Sequence, residues 1–206
     1  MPDFSAYGHY KEKIFRSLEV SFVPGARLLD VGCGDGSDAR IFIEQYGLKI
    51  DGIDVYRDEK IFSHPEFLFQ EGSIYHIPSV DHTYDYVFLH DVLHHIDEST
   101  QRREKHVAAL QELKRVIKPD GTIILIEANR FNPLFYPHMV RQLGHDHWRQ
   151  SYFRDIVTSV FPGARFSTFE AHHYPWGLAF WKGYEWAMET FLPKEFLAYN
   201  MAVIVG

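Results

Sequence analysis

Short apolar runs alternate with longer amphipathic stretches along this chain of 206 residues. Such alternation is typical of a parallel sheet covered by helices, because strands that are buried on both faces are apolar throughout. The pattern predicts strands at 27–31, 48–53, 67–70, 84–89, 122–127, 164–170 and 196–205. Apolar residues at i, i+3, i+4 and i+7 predict helices at 37–46, about 100–118 and 176–192. The sequence therefore predicts an α/β protein.

Glycine and proline mark the expected ends of these elements. Gly47 should stop the first helix, and Pro119-Asp120-Gly121 should end the second, because proline cannot continue a helix and Asp-Gly turns readily. No repeat, low-complexity segment or linker divides the chain. We therefore expect a single domain over 1–206, a size that can bury a full hydrophobic core.

Composition narrows the class of protein. A single cysteine, Cys33, excludes an intramolecular disulfide and favours a reducing, cytoplasmic location. We expect no secretory leader after Met1 and no transmembrane segment, because no run approaches the about 20 apolar residues of a membrane span. The formal charge of −7, without a dense basic stripe, argues against nucleic-acid partners.

The main functional motif is the loop Gly32-Cys33-Gly34-Asp35-Gly36 between the first predicted strand and helix. Glycines at such a junction let the backbone turn tightly and approach a ligand closely. The dinucleotide pattern G-x-G-x-x-G would need a glycine where this chain has Ser37. Asp30 and Asp35 bracket the loop, and two carboxylates would repel a diphosphate but suit a cationic amine and a sulfonium. A purely structural strand–helix turn is the alternative.

Asp54 follows the second predicted strand and is the next candidate for ligand binding. An acidic side chain at that place accepts hydrogen bonds from both hydroxyls of a ribose. A solvated aspartate at a strand end is the alternative. Together with the upstream glycine loop, Asp54 indicates a ligand that contains a nucleoside.

Four sequence blocks resemble the class I S-adenosylmethionine-dependent methyltransferases, and specifically their type 11 branch. The blocks are LLDVGCGDGSDA at 28–39, IDGID at 50–54, YDYVFLHDVLHHI at 84–96 and LQELKRVIKPDGTIILIE at 110–127. Four ordered blocks are more specific than one glycine loop. The resemblance implies a Rossmann-like seven-stranded sheet in the order 3-2-1-4-5-7-6, with helices on both faces and an antiparallel last strand. It also implies a cofactor-binding half at about 1–129 and an acceptor-selecting half at about 130–206.

The resemblance implies S-adenosylmethionine as the cofactor, and roles for individual residues. Asp30 would lie near the amine of the methionine moiety, and Asp54 would hold the ribose. Ser73 stands where the family usually has an aspartate for the adenine, and a neutral hydroxyl accepts a weaker hydrogen bond. The expected cofactor-binding set is Asp30, Gly32, Cys33, Gly34, Gly36, Asp54, Val55, Gly72, Ser73, Ile74 and His90.

Acid–base candidates follow the fourth predicted strand, because ligands of open α/β sheets bind at the carboxyl ends of strands. A base would speed methyl transfer to a hydroxyl, whereas a carboxylate acceptor would need none. The candidates are His90, Asp91, His94 and His95, with Glu127 as a further candidate at the rim. The alternative for the His94-His95 pair is packing and hydrogen bonding at the rim.

A histidine-rich stretch adds His145 and His147 as candidates for substrate binding or proton transfer. Neutral imidazole is a common metal ligand. However, no cysteine lies nearby and only Asp146 separates the two histidines, so we expect no metal. A surface or core-edge role for both histidines is the alternative.

Aromatic residues crowd the expected acceptor half. On a helix at 176–192 they would occupy several faces, which indicates burial by the sheet and also by a partner, lid or lipid. The residues on one face would be Trp181, Tyr184, Met188 and Phe191, and those on others Phe180 and Trp186. A bulky core is the alternative, and a homodimer stays open.

The sequence therefore predicts an enzyme that moves a methyl group from S-adenosylmethionine to an oxygen, or another nucleophile, of a small-molecule, glycan or lipid acceptor. One alternative is an NAD-type oxidoreductase on a similar sheet, which the glycine spacing and the bracketing acids disfavour. The other is a non-catalytic cofactor-binding module of the same fold, because binding and catalysis are separable.

Overall fold

A seven-stranded sheet forms the centre of the computed structural model, which describes residues 2–97, 100–142, 148–172 and 177–206. The strand order β3-β2-β1-β4-β5-β7-β6 confirms the expected topology. The strands are β1 (Arg27–Val31), β2 (Lys49–Asp54), β3 (Phe67–Glu71), β4 (Tyr84–His90), β5 (Ile117–Ala128), β6 (Arg165–Phe169) and β7 (Tyr199–Val205). β7 runs antiparallel to both neighbours, and the other pairs are parallel.

Helices cover both faces of the sheet. They are α1 (Gly8–Ser17), α2 (Ser37–Tyr46), α3 (Arg103–Val116), α4 (Gln150–Val160) and α5 (Leu178–Phe191). Phe15 of α1 and Phe42 of α2 pack in one apolar cluster with Phe88 of β4. Leu110 of α3 and Phe153 of α4 belong to a second cluster on the other face, because successive strand residues point to opposite sides. Among the described residues, no helix has the length and apolar character needed to cross a membrane.

β5 differs most from its expected bounds. It begins at Ile117 rather than at 122, because Ile117 pairs with Tyr84 before the register of the two strands shifts. The preceding helix α3 already ends at Val116. The expected helix-ending turn at Pro119-Asp120-Gly121 is therefore wrong, since these residues form an irregularity within β5.

Within this chain the aromatic residues of α5 are buried on one side only, and the expected cover of the other sides by a partner, lid or lipid stays a prediction. Trp181 and Met188 are buried, but Phe180, Trp186 and Phe191 are 63%, 62% and 70% exposed. A single face of α5 therefore packs on the rest of the chain. Phe180, Trp186 and Phe191 face away from it.

α1 contacts helices from both parts of the sequence. Lys11 Nζ donates a hydrogen bond to Asp38 of α2 at 2.6 Å. His9 Nε2 lies 2.8 Å from a carboxylate oxygen of Glu185 on α5. These contacts hold α1 across the carboxyl edge of the sheet and bring Tyr10 to that edge.

Candidate active site

A cavity of about 550 Å³ opens at the carboxyl ends of β1, β2 and β4, and we call it the first cavity. Pockets for small molecules and cofactors measure about 300–1,000 Å³. In open α/β sheets they lie at the carboxyl ends of the strands. The predicted site residues that line the first cavity are Gly32, Gly34, Asp54, Val55, Gly72, Ser73, Ile74, Asp91 and His95.

The glycine loop after β1 is tied to the end of β2. Gly32 N–H donates to Ile53 O at 2.7 Å, and Gly34 N–H donates to Asp54 Oδ2 at 2.9 Å. Both glycines are left-handed, with φ of 71° and 51°, which a residue with a side chain rarely adopts. A Cβ on Gly32 would lie 2.4 Å from Val92 Cγ2, whereas a Cβ on Gly34 would meet nothing within 4 Å. The loop therefore packs closely at Gly32 and is open at Gly34.

Asp54 is oriented at the cavity wall by two backbone groups. Its Oδ2 accepts the Gly34 N–H, and its Oδ1 accepts the Val55 N–H at 2.7 Å. Each carboxylate oxygen keeps capacity for a further hydrogen bond. The half-buried carboxylate therefore suits a ligand that offers hydroxyl donors.

The segment after β3 forms the facing wall of the first cavity. Ile74 is buried and Val55 is 69% exposed, so two apolar side chains flank the cavity. Ser73 Oγ accepts a backbone N–H two residues further on, at 3.2 Å. A Cβ on Gly72 would lie 2.8 Å from Ile53 Cδ1, so this wall packs directly on β2. The wall suits a flat and largely apolar group.

Asp30 lies behind the loop rather than in the cavity wall. Its side chain is buried, and its Oδ2 has no hydrogen-bond partner in the part of the chain that the structure describes. Burial, aided by the nearby Asp38 carboxylate, raises the pKa of Asp30 well above its ordinary value. A buried polar group without a partner is costly to the fold. The orphaned oxygen therefore suits a ligand that brings a cationic amine.

Replacing Asp30 by Asn should stabilise the ligand-free protein at neutral pH, because the amide does not ionise, whereas the Asp30 carboxyl ionises more readily in the unfolded chain than in the fold. The pKa of Asp30 is raised in the fold above its unfolded value of about 3.9, so its ionisation destabilises the fold as pH rises beyond that value. In urea unfolding, the stability advantage of Asp30→Asn should widen from about pH 4 upward and level off above the raised pKa. An advantage that narrows with rising pH would contradict this assignment. Asp35→Asn, on the exposed side of the same loop, is the matched control and should show little change.

Two further members of the expected cofactor-binding set face away from the first cavity. Cys33 is buried, and its Sγ lies 2.9 Å from where a Cβ on Gly52 would be. Gly36, with φ of 77°, precedes α2, and a Cβ there would lie 3.0 Å from Phe62. These residues therefore shape the underside of the loop rather than the surface of the cavity.

His90 belongs to a chain of hydrogen bonds and does not line the first cavity. Its Nδ1 lies 2.9 Å from Asp38 Oδ2, and its Nε2 lies 3.0 Å from Tyr10 Oη. Tyr10 Oη in turn lies 2.8 Å from Tyr199 Oη. Burial would raise the pKa of Asp38, but Lys11 and His90 outweigh it and hold that pKa well below its ordinary value. Asp38 is therefore a carboxylate that orients the imidazole.

Asp91 lies between the first cavity and a second one of about 390 Å³. Its backbone is left-handed, with φ of 57°. Its N–H donates to Ile126 O at 2.9 Å, and its Oδ1 accepts the Ala128 N–H at 2.8 Å. Two bonds to β5 thus fix this carboxylate where the cavities meet.

The second cavity is bounded by α1, β5, β7 and the segment after β5. Aromatic and apolar side chains dominate its surface, and among them are Tyr10, Leu134, Phe135, Met139 and Tyr199. Its polar groups are those of Asp91, His138 and His172, together with the two tyrosine hydroxyls. This composition fits an organic molecule with few charges.

Glu127 and His94 form a buried pair. Glu127 Oε1 accepts the N–H groups of Val92 at 3.0 Å and Leu93 at 2.6 Å, and its Oε2 lies 2.7 Å from His94 Nδ1. The structure therefore places Glu127 in the interior, not at the rim where the sequence analysis expected it. The pair anchors the backbone that follows β4.

Asp91, His94 and Glu127 each place a possible ligand atom within 4.8 Å of the others, a spacing that a metal ion could use. Hydrogen bonds already engage both Glu127 oxygens and one Asp91 oxygen. A metal would have to displace them. Hydrogen bonding therefore accounts for this arrangement.

The remaining acid–base candidates are histidines. His95 is exposed and lines the first cavity. His145 and His147 lie outside the described residues, as do Asp146 and Trp176. The expectation for His145 and His147 stays a prediction.

The residues around His90 are not predicted by the sequence patterns. Tyr10, Lys11, Asp38 and Tyr199 were not among the predicted site residues. A weak signal was present, because Tyr10 and Ile14 are spaced as on one helix face and predict an N-terminal helix. No local pattern shows that this helix reaches the site.

Known proteins are similar to this chain in sequence. A family model described as a methyltransferase domain matches residues 29–125. An uncharacterized methyltransferase of Schizosaccharomyces pombe is 33% identical over 154 residues, which are 67% of this chain and 51% of that protein. A sterol 24-C-methyltransferase of the same organism is 31% identical over 123 residues, 55% of this chain and 30% of that protein. The chain thus spans about half of the first relative and less of the second.

A solved structure shows the same fold. The S-adenosylmethionine-dependent methyltransferase from Archaeoglobus fulgidus matches with a TM-score of 0.70 at 15% identity. The match covers 98% of this chain and 97% of that one. The strand order and the helices on both faces are therefore those of a methyltransferase fold.

The fold and the glycine-lined cavity define a Rossmann-like α/β protein with a site for a nucleoside-containing ligand. The chain belongs to the class I S-adenosylmethionine-dependent methyltransferases. The residues present fit the cofactor of that class. Gly34 leaves open space, Asp54 offers acceptors for hydroxyls, and the unpartnered Asp30 oxygen suits an amine.

Proposed function

We propose that this chain transfers a methyl group from S-adenosylmethionine in the first cavity to an acceptor in the second cavity. The acceptor atom is an oxygen, or another nucleophile, of a small molecule, glycan or lipid. The observation that carries the proposal is that Asp91 lines both cavities at the carboxyl edge of the sheet. The cofactor supplies a methyl group that is already activated by its sulfonium, so the protein provides alignment and an electrostatic setting.

Different residues of the chain bind different parts of the cofactor. The backbone at Gly32 and Gly34 lines the methionine moiety, and Asp30 receives its amine from behind the loop. Asp54 accepts hydrogen bonds from the ribose, and Ile74 packs against the adenine. This assignment is supported by the open face of Gly34, the orphaned Asp30 oxygen and the half-buried Asp54 carboxylate.

Asp91 orients the acceptor where the two cavities meet. Its backbone N–H is bonded to Ile126 and its Oδ1 to the Ala128 N–H, so Oδ2 keeps the capacity to accept a hydrogen bond from the acceptor molecule. A fixed hydrogen-bond acceptor at that point holds the nucleophile of the substrate in line with the methyl group. Such alignment is a large part of catalysis in transfer reactions. A change at Asp91 should therefore lower the rate of transfer more than it weakens cofactor binding, although Asp91 lines both cavities.

No observation favours the alternative of an NAD-type oxidoreductase. Isothermal titration calorimetry with S-adenosylhomocysteine and with NAD distinguishes the methyltransferase from the oxidoreductase directly. We expect heat of binding with S-adenosylhomocysteine and none with NAD. Binding of NAD alone would overturn the proposal.

Replacing Asp54 by Ala should weaken binding of S-adenosylhomocysteine by about 1.5–3 kcal/mol, the range for hydrogen bonds to a charged group. The variant loses the ribose acceptor and also the bond that holds Gly34. Calorimetry gives the dissociation constant, and circular dichroism verifies the fold. Glu59→Ala, an exposed acid on the same segment, is the matched control. An unchanged dissociation constant for Asp54→Ala would show that the ribose lies elsewhere.

A further inference from the structure

We propose that Tyr10, backed by His90 and Asp38, takes up the proton of a hydroxyl acceptor in the second cavity. The substrate class is then a neutral hydroxyl compound of phenolic or similar apolar character. This inference rests on the proposed function, because it assigns the acceptor of the same two cavities.

The geometry of the three groups supports the proposal. With Asp38 ionised, a neutral His90 donates its Nδ1–H to Asp38 Oδ2 over 2.9 Å and accepts the Tyr10 hydroxyl at Nε2 over 3.0 Å. Carboxylate, imidazole and hydroxyl follow in the order that serine hydrolases use to move a proton. Here the hydroxyl belongs to a tyrosine that faces the second cavity. The group that touches the acceptor is therefore Tyr10, and His90 and Asp38 act through it.

The surroundings keep both tyrosines neutral. Burial, aided by Asp91, raises the pKa of Tyr10 well above its ordinary value. Burial, aided by Tyr10 and Asp91, does the same to the pKa of Tyr199. A proton that arrives on Tyr10 must therefore move on, and His90 Nε2 lies within reach as an acceptor at 3.0 Å.

The step balances in atoms and electrons. The acceptor oxygen forms the new O–CH₃ bond, and the CH₃–S bond breaks with its electron pair going to sulfur. The hydroxyl proton passes to Tyr10 Oη while the proton of Tyr10 passes to His90 Nε2. His90 becomes an imidazolium beside the Asp38 carboxylate and returns the proton to solvent after the product has left.

The charges around the second cavity disfavour an anionic acceptor. Asp91 contributes a carboxylate at one side. At the other side lies His172: burial lowers its pKa, but Glu170 and Glu185 outweigh burial and the net shift is upward. An anion would be repelled by the Asp91 carboxylate, whereas the imidazolium form of His172 is offset by the buried carboxylates of Glu170 and Glu185 at 3.0 and 3.7 Å. The rings of Tyr10, Phe135 and Tyr199 offer edges and faces for an aromatic molecule.

A binding measurement tests the proton path without turnover. The protein saturated with S-adenosylhomocysteine is titrated with para-nitrophenol, whose absorbance reports its ionisation. In the wild type, the pH midpoint of the bound probe should lie about 1 unit below that in Tyr10→Phe, because the path to His90 stabilises the phenolate. Tyr46→Phe, a tyrosine within the aromatic cluster of α2, is the matched control and should behave as the wild type.

A kinetic measurement separates catalysis from structure. With radiolabelled S-adenosylmethionine and phenol, Tyr10→Phe should lower kcat about 10²–10⁴-fold with little change in KM, the size expected for a lost acid–base group. The loss should be smaller with para-nitrophenol, because a more acidic hydroxyl needs less help. Benzoate and benzylamine, as anionic and cationic probes, should accept less methyl than phenol.

The pH dependence of kcat tests whether His90 receives the transferred proton. The charged and titratable groups that face it are Tyr10 and Lys11 from α1, Asp38 from α2, the adjacent Asp91, and Tyr199 from β7. In the wild type, kcat should fall at acid pH, where the imidazole is already protonated. In His90→Gln this acid limb should vanish, which a merely structural role would not produce.

Distinct outcomes overturn distinct claims. If S-adenosylhomocysteine does not bind the wild type, the proposed function fails. If it binds but Tyr10→Phe keeps the wild-type kcat on phenol, the proton path fails. Methyl transfer to benzylamine or benzoate alone, or to no probe while the cofactor product binds, also refutes the hydroxyl acceptor and leaves the cofactor assignment standing.

Discussion

Replacing Glu127 by Ala is expected to lower the free energy of unfolding by about 3–5 kcal/mol, because it leaves three hydrogen-bond donors without their acceptor and each orphaned buried group costs about 1–3 kcal/mol. Glu127 is fully buried and accepts the N–H groups of Val92 and Leu93 as well as His94. All three donors would lose their acceptor at once, and each orphaned buried group adds a cost. Urea unfolding followed by circular dichroism measures the loss.

Two further variants control this result. Glu127→Gln keeps an oxygen for the two backbone N–H groups, so its loss should be clearly smaller than that of Glu127→Ala. Glu104→Ala removes an exposed carboxylate from α3 and should change stability by no more than about 0.5 kcal/mol. If Glu127→Ala is as stable as Glu104→Ala, the buried pair does not anchor the segment after β4.

Replacing Gly32 by Ala should destabilise the protein by about 2–5 kcal/mol. The left-handed backbone at Gly32 costs a residue with a Cβ about 1–2 kcal/mol. The new Cβ would also lie 2.4 Å from Val92 Cγ2, and such overpacking costs about 1–3 kcal/mol. Gly34→Ala is the matched control, because its backbone is left-handed too but its Cβ would meet nothing within 4 Å. Thermal and urea unfolding of both variants give the comparison.

A second substitution tests the assigned collision. Val92→Ala removes the methyl groups that lie nearest to the Cβ position of Gly32. In the double variant with Gly32→Ala, stability should recover relative to the sum of the single effects, which a double-mutant cycle measures as a coupling energy. Additive losses would show that the backbone conformation alone explains the requirement for glycine.

The sheet was predictable because its signal is local. Strands buried on both faces are apolar throughout, and the family blocks imply their order, which the structure confirms. The first residue of β5 was not predicted correctly, because its early start at Ile117 depends on pairing with Tyr84 in another strand. α1 and α4 were not predicted, since they lie outside the blocks at 28–127 that resemble the family and carry no motif.

The first cavity was predictable because its residues also belong to local sequence motifs. Gly32, Gly34 and Asp54 belong to short motifs, and all three line it. Cys33 stands in the same motif but faces the other way, because neighbouring residues of a tight loop cannot all point to one side. Motif membership therefore predicts the loop but not which of its atoms meet a ligand.

The second cavity was not predictable from local patterns. Tyr10, His90 and Tyr199 lie far apart in the sequence and meet only because β7 inserts beside β5 and α1 crosses the sheet edge. Sequence reasoning found His90 as a possible base but had no means to find its partners. Long-range contacts of this kind need the folded chain.

The position of α1 has a thermodynamic consequence. Through Lys11 it contacts Asp38 of α2, next to the glycine loop, and through His9 it contacts Glu185 of α5; in the proposed function these contacts lie toward the cofactor and the acceptor. Whichever ligand arrives first should damp the motion of this helix, so the second ligand meets a surface that is already rigid. Linkage then requires that cofactor and acceptor raise each other's affinity by one common factor.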